Sequence, residues 1–507
     1  MEQSATLAVF AESGVQVGTG HVMRCLALGQ AWKRAGGTVA FTVREDSTGL
    51  VARIQHEGFQ VDVLREGRSF GSAIEELFRS SHPAAVVLDG YGFDTREQTL
   101  LKHAGVPTLF LDDYGHASHY SARWVLNQNS YAKPDMYAQR DSETKLLLGP
   151  SYALLRGEFL PWISWKREIP PRASKVLVTM GGSDARNVSS RILMSLSDLT
   201  KAQDDGLEVV VAIGSANPHA AAVRRVAEQS SSRIRIVQDA QDMPALMAWA
   251  DMAVAAAGGT ALELCFFGVP ALLLVAAENQ RQAAESLAQS GAAVHSGTTE
   301  EFSQAKFLGE FRALLDSRDR RDAMSRKGRE LVDGLGAERV CGALMDRELR
   351  LRHARENDCR LLFDWANDPV TRAVSFHPAP ISWQEHTSWF AERLRDSQSV
   401  LYIGETEAGA AVGQVRFQIR GERAMLSVSV APDFRGAGWG AALISFSMRA
   451  LIREHAVNRI DAQVKPSNEA SVRLFRKSGF RQLGTETITG QPALFFSWQY
   501  RVGACAA

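Results

Sequence analysis

His21 follows directly on Gly18-Thr19-Gly20, where a short apolar strand pattern gives way to a helical one. Glycines in such a strand-to-helix turn permit positive φ and let a ligand approach the backbone closely. Free N–H groups at the helix start attract an anion. A neutral imidazole at that point can take a proton from water near neutral pH. Arg24 either pairs with a phosphate or solvates the helix. A second glycine turn, Arg435-Gly436-Ala437-Gly438-Trp439-Gly440, has the form R-x-x-G-x-G, after the alternating strand Ala424 to Pro432 and before an apolar helix. Its successive N–H groups form a nest for a pyrophosphate. The strand before it alternates in antiparallel style, whereas a dinucleotide-binding turn follows a continuous apolar run. Two more turns, "GGSD" (Gly181, Gly182 to Asp184) and "AGGT" (Ala257 to Gly259 and Thr260), each read as opening a helix. Asp112-Asp113 at a strand end could bind magnesium, but a structural role is the reading adopted and no metal is expected.

These residues need a frame, and the hydrophobic pattern supplies one. Thr6–Glu12 is a short apolar strand, and Val22–Arg34 has helical spacing before a Gly36-Gly37 stop. "TVAFTVRE", "AAVVLDGYG" and "TLFLDDYG" are further strands with helices between them. That alternation specifies a parallel, doubly wound α/β sheet with its cleft at the strand carboxyl ends. The pattern restarts near residue 174 with "KVLVTMGGSDARN", beyond Pro170-Pro171. A third α/β unit begins near Glu348 and contains the alternating run "AMLSVSVAP". The expected domains are therefore 1–168, 169–346 and 347–507.

Composition narrows the partners. The chain has 507 residues, 45% hydrophobic and 22% charged, with formal net charge zero, so it is globular and has no basic excess for nucleic acid or an anionic membrane. The longest apolar run, Leu264–Ala277, is broken by Gly268 and Pro270 and is too short to span a bilayer. "MEQSATLAVFAE" lacks the basic start and long apolar stretch of a signal peptide. Five scattered cysteines (Cys25, Cys265, Cys341, Cys359, Cys505) form no C-x-x-C pair, which fits a reducing cytoplasm and no disulfide framework.

"GTGHVMRCLALGQAW", "VVLDGYGFD", "LLRGEF", "VTMGGSDARNVS", "AGGTALELCFFGVPALLL", "ENQ" and "DGLGAERV" occur in that order. Over residues 5–345 they resemble the UDP-sugar hydrolase of pseudaminic acid biosynthesis. The resemblance implies the two-Rossmann-domain fold of glycosyltransferase-B enzymes. It implies removal of UDP from a 2,4-diacetamido-2,4,6-trideoxy-L-altrose nucleotide. It makes His21 the catalytic histidine and Tyr91 the tyrosine near the sugar, with Gly18 and Gly20 admitting the sugar end. It also implies that Glu263 accepts hydrogen bonds from the ribose hydroxyls, that Asn279 and Gln280 contact sugar or phosphates, and that the second-domain turns hold UDP.

The glycine turn at Arg435 and the later "VKPSNEASVRLFRKSGF" resemble the GNAT N-acetyltransferases over residues 349–500. That resemblance implies acetyl-CoA as co-substrate, with the turn on its pyrophosphate and Val430 and Asn468 contacting it. "DWANDPVTRAVSFHPAPISWQEHTSWFAERL", through Asn367, Arg372, Glu385, His386 and Trp389, is similar to the subgroup acetylating amino-sugar nucleotides or ribosomal-protein amines. Where many such enzymes carry a tyrosine acid, this chain has Phe475, so the acid is another group, such as Tyr402 or water, or is absent. Asp364, Glu385 and His386 are the candidate bases. The expected partners are a UDP-sugar and acetyl-CoA. Two other readings are a glycosyltransferase, or a sugar-nucleotide sensor controlling a protein acetyltransferase. A legionaminic-type pathway would give a similar pattern.

Overall fold

The computed structural model describes residues 5–499 except 15–18, 45–47, 66, 81, 164, 183, 203–205, 215–216 and 231–232. Gly18 and Cys505 lie outside the described residues.

The first sheet has seven strands: β1 (Thr6–Ala11), β2 (Thr38–Arg44), β3 (Gln60–Leu64), β4 (Ala85–Asp89), β5 (Thr108–Leu111), β6 (Trp124–Asn127) and β7 (Lys145–Leu148), in the order β3-β2-β1-β4-β5-β6-β7. All its pairings are parallel. β4 and β5 are buried along their whole length, as apolar strands covered on both faces must be. The order reverses between β1 and β4, and in open parallel sheets ligands bind at such a point, beyond the strand carboxyl ends.

The second sheet repeats this plan with β8 (Lys175–Thr179), β9 (Glu208–Ile213), β10 (Arg233–Gln238), β11 (Met252–Ala256), β12 (Ala271–Val275) and β13 (Val294–Thr298), ordered β10-β9-β8-β11-β12-β13. Its switch point lies between β8 and β11, where the Gly181 and Gly259 turns stand. The apolar run at Leu264 divides as its sequence indicates. The helix Gly259–Phe267 ends on left-handed Gly268 (φ 59°), and β12 follows. A side chain at Gly268 would strike Ser325 Oγ at 2.5 Å as well as straining the backbone.

The third sheet is mixed: β14 (Leu349–His353), β15 (Ser399–Thr406), β16 (Ala411–Arg420), β17 (Arg423–Val430), β18 (Arg459–Val464), β19 (Arg481–Ile488) and β20 (Gln491–Gln499), in the order β14-β15-β16-β17-β18-β20-β19. β17 is antiparallel to β16 along its length, as the alternation of "AMLSVSVAP" requires. Its parallel pairing with β18 stops after Met425↔Asp461. The remaining carboxyl half of β17 is left without that neighbour. The Arg435 turn follows β17 and enters the helix Trp439–Glu454.

The chain forms two compact units. One holds both parallel sheets, and the other holds the mixed sheet and the short stretch Ala31–Gly37; beyond Thr38 the boundary falls between Val340 and Cys341, inside the helix Gly336–Leu344.

Candidate functional site

In the first unit, β1 delivers the chain into the helix Gly20–Arg34, and β4 ends at Asp89. The β1–β4 register pairs Ala11 with Asp89, so the two strand ends emerge side by side. His21 lies on the first turn of the helix, 5% exposed, and its Nδ1 is 2.6 Å from Asp89 Oδ1. Asp89 is fully buried and also accepts from Arg24, Nε to Oδ2 at 2.7 Å and Nη2 to Oδ1 at 2.6 Å. The Arg24 guanidinium and His21 hold the Asp89 carboxyl well below the usual carboxylate range against the cost of its burial. An ionised carboxylate can only accept, so Nδ1 carries the hydrogen, and in a neutral imidazole the lone pair is then on Nε2. The 3.1 Å approach of Arg24 Nη2 to Nδ1 arises because both groups share Asp89 Oδ1. Among the described residues Nε2 has no protein hydrogen bond.

Arg24 takes neither of the two roles its sequence position offered. Its third nitrogen, Nη1, donates to Asp113 Oδ1 at 2.7 Å, so the guanidinium is committed to two carboxylates rather than to solvent or a phosphate. The Asp112-Asp113 pair is divided. Asp112 accepts from Tyr114 N, Gly115 N and the Tyr120 hydroxyl, and so builds the loop. Asp113 points at Arg24 and at Tyr91, whose hydroxyl is 3.3 Å from Asp113 Oδ2. The Tyr91 ring meets His21 edge-on, centroids 4.8 Å apart, and its hydroxyl accepts from Asn279 Nδ2 at 2.5 Å. Burial and Asp113 push the Tyr91 phenol up, which keeps it protonated as a hydrogen-bond donor. His21, Tyr91 and Asn279 are thus brought together. Asp89, which orients His21, was not singled out from sequence, and Asp113 was named only within the Asp112-Asp113 pair and not as a partner of Arg24 and Tyr91.

The second-lobe turns differ from each other. Helix Gly259–Phe267 has Gly258 as N-cap with no side-chain cap, and Gly259 has open space where a side chain would stand. The N–H groups of Gly259 and Thr260 are available to an anion. The "GGSD" turn does not open a helix in this way. Its helix starts at Val188, and Asp184 caps it, accepting from Val188 N at 2.8 Å and Ser189 N at 3.0 Å. Gly181 (φ 83°) is open, and a Cβ on Gly182 would lie 3.6 Å from Thr19 Oγ1, placing the two lobes' turns against each other. Glu263 is one turn into the Gly259 helix; Arg156 Nη1 pairs with its Oε1 at 3.1 Å, and burial raises its carboxyl. Gln280 Oε1 accepts from Ala276 N at 3.0 Å, so it shapes the loop that presents Asn279.

In the second unit the Arg435 turn has the expected form. Gly436 (φ 77°) and Gly438 (φ 82°) are left-handed, and Gly438 caps the helix Trp439–Glu454 without a side-chain bond. A Cβ at Gly436 would meet nothing, whereas one at Gly438 would strike the Arg347 guanidinium, which lies against the turn. Gly440 is closely packed, with Leu474 only 3.0 Å from a would-be Cβ. Arg435 turns inward, donating to Asp368 Oδ1 (2.6 Å), Thr371 Oγ1 (3.0 Å) and Val430 O (3.2 Å), so it fixes the turn to the helix Pro369–Val374. Asn468 Oδ1 caps the helix Glu469–Lys477 through Ser471 N.

The expected acid–base candidates of this unit have structural partners. The buried Tyr402 hydroxyl donates to Glu454 Oε2 at 2.6 Å. Glu454 ends the helix that Gly438 begins, about 22 Å away at 1.5 Å per residue. Tyr402 therefore stands at the opposite end of that helix from the turn, committed to Glu454. Phe475 packs in the core against Phe480 and Phe496. Glu385 closes a capping box with Ser382, and Asp364 pairs with Arg360 on the surface. His386 is 2% exposed among Phe363, Trp389 and Phe390, hydrogen-bonded to Cys359 O, and burial lowers its pKa. Asn367 clasps Ile381 by two backbone bonds and Arg372 holds His377 O, so both shape the loop before the helix Trp383–Arg395. Among the described residues, no cluster of three or more His, Cys, Asp or Glu could hold a metal ion.

Comparison with known proteins agrees with both units. Residues 175–331 match the glycosyltransferase family 28 C-terminal domain. Residues 348–481 match the acetyltransferase (GNAT) domain. Spore coat polysaccharide biosynthesis protein SpsG of Bacillus subtilis is 28% identical, over 67% of this chain and 97% of its own length. The UDP-N-acetylglucosamine–N-acetylmuramyl-(pentapeptide) pyrophosphoryl-undecaprenol N-acetylglucosamine transferase of Methylococcus capsulatus is 30% identical, over 64% of this chain and 95% of its own. Uncharacterized protein MJ1062 of Methanocaldococcus jannaschii is 23% identical over 94% of this chain and 96% of its own, so the similarity extends through both units. No helix among the described residues is long and apolar enough to cross a membrane. The chain belongs, through its two parallel-sheet lobes, to the glycosyltransferase family 28 proteins, and it carries a GNAT acetyltransferase domain after them.

Proposed function

We propose that this chain catalyses two consecutive steps on one sugar nucleotide. The GNAT domain acetylates the 4-amino group of a UDP-4-amino-4,6-dideoxy sugar from acetyl-CoA. The first unit then hydrolyses the product, UDP-2,4-diacetamido-2,4,6-trideoxy-L-altrose, to free sugar and UDP, as in pseudaminic acid biosynthesis. The observation that carries the hydrolase reading is the His21–Asp89 pair, which leaves an imidazole lone pair free at Nε2. A transferase has its acceptor hydroxyl to deprotonate; a hydrolase needs the same base aimed at water.

In the first step the neutral amine attacks the thioester carbon. The new C–N bond forms as the C–S bond breaks, CoA leaves as thiolate, and the proton lost by the nitrogen reaches the sulfur through solvent to give CoA thiol. In the second, His21 Nε2 takes a proton from water as its oxygen attacks the anomeric carbon opposite the leaving group. The C–O bond to UDP breaks through an oxocarbenium-like state and the configuration inverts. UDP leaves as an anion, so protonation is not required. The free N–H groups of Gly259 and Thr260 complement its charge. Asp89 holds the imidazole in the required tautomer and stabilises the imidazolium. Tyr91 and Asn279 flank the sugar end. The similarity to MJ1062 runs through both units and so fits a chain that carries both domains together.

The test supplies the full chain with the UDP-linked amino sugar and acetyl-CoA, without any sugar acceptor. CoA thiol should appear first, then UDP. A requirement for a second acceptor before any UDP appears would favour a glycosyltransferase, the alternative supported by the name of the Methylococcus relative.

A further inference from the structure

Arg416 lies in β16, across the ladder from Leu401 in β15 and from Ser427 in β17. Paired residues on neighbouring strands share a face. Arg416 therefore stands with Gln414 and Ser427 on the face covered by the helix Trp383–Arg395, and its guanidinium carbon is 5.3 Å from the Trp389 ring centroid. Among the described residues no carboxylate comes within ion-pair distance of it. Its neighbour Arg393 is already paired with Asp396 (3.4 Å) and Gln418 (2.8 Å). Burial and the like charge of Arg393 both hold the Arg416 pKa below its usual value. A half-buried cation without a counter-ion is unfavourable until something brings an anion to it. Two residues along the same face, Gln414 Oε1 is buried with no hydrogen-bond partner. Ser427 lies in the part of β17 that has lost β18, where an extended acyl donor can pair with the freed strand edge.

We propose that Arg416 is the anion contact of the acetyl acceptor, binding a phosphate of an amine-bearing nucleotide, with Gln414 Oε1 accepting a hydrogen bond from the same molecule. The proposal rests on the reading that the acceptor is a nucleotide-linked amino sugar. The arrangement disfavours a polycation, because Arg416 would repel it.

Thiol release from acetyl-CoA by the full chain is compared for the UDP-linked amino sugar, the same amino sugar without UDP, and spermidine. The UDP-linked amine should be used best. Arg416→Met keeps the aliphatic stem on Trp389 and should raise KM for it about 10- to 100-fold, with KM for acetyl-CoA unchanged. Arg416→Lys should recover part of the loss. An unchanged KM in Arg416→Met, or equal use of spermidine by the parent, would overturn the proposal. If no amine is acetylated, the reading of the acceptor fails separately. UDP itself then decides on the anion site: calorimetry on the CoA-saturated chain should find two UDP sites in the parent and one in Arg416→Met. One site in both would overturn it.

Discussion

The two units present their polar residues in opposite ways. In the first, His21, Arg24, Asp89, Tyr91 and Asp113 converge on one another at the switch point of a parallel sheet. In the second, every side chain whose type suggested acid–base work has a structural partner, and the glycine turn, the unpaired half of β17 and the Arg416–Gln414 face remain for ligands. The difference follows from the chemistry proposed for each. Breaking a glycosidic bond with water needs a base held in one tautomer, which requires a buried carboxylate behind it. A thioester is already activated, and an unprotonated amine is a good nucleophile. Alignment along a strand edge then contributes most of the rate.

If that contrast is right, substitutions should separate the two activities. His21→Ala should lower UDP release by about 10²- to 10⁴-fold and leave CoA thiol release unchanged. Asp89→Asn should weaken UDP release through the wrong tautomer and destabilise the fold by about 3 kcal/mol, because Arg24 loses its buried partner; chemical denaturation checks the second effect. Asp89 also sets a pH dependence. Its pKa is depressed in the fold, so its stabilisation is complete above the ordinary carboxylate range near pH ~4. It is lost as pH falls below that range towards the folded value. Acid denaturation followed by circular dichroism should show a shallower acid limb in Asp89→Asn than in the parent. At the small end, Tyr402→Phe should cost about 1 kcal/mol of stability for its lost hydrogen bond to Glu454. It should leave acetyl transfer unaltered. A collapse of acetylation in Tyr402→Phe or Glu385→Gln would break the comparison.

The three-sheet plan was legible because each sheet imposes its own period. Continuous apolar runs mark the parallel strands, and "AMLSVSVAP" marks the antiparallel one. His21 was legible from its place after a glycine turn. Asp89 and Asp113 were less so, because many strands end in Asp; only the β1–β4 register sets Asp89 behind His21, 68 positions apart in sequence. Asp184 shows the reverse error. "GGSD" and "AGGT" look alike, but the acidic side chain of the first occupies the N–H groups that the second leaves free. Arg416 was missed because a single arginine in an alternating strand carries no motif, and its lack of a partner is visible only once the face is assembled.

The central claim is a base-catalysed hydrolysis that follows acetylation on the same chain. It is tested most directly by giving His21→Ala both acetyl-CoA and the UDP-linked amino sugar and resolving the products by mass. The account predicts accumulation of the UDP-linked diacetamido sugar with almost no free UDP. Release of UDP at the parent rate would contradict it.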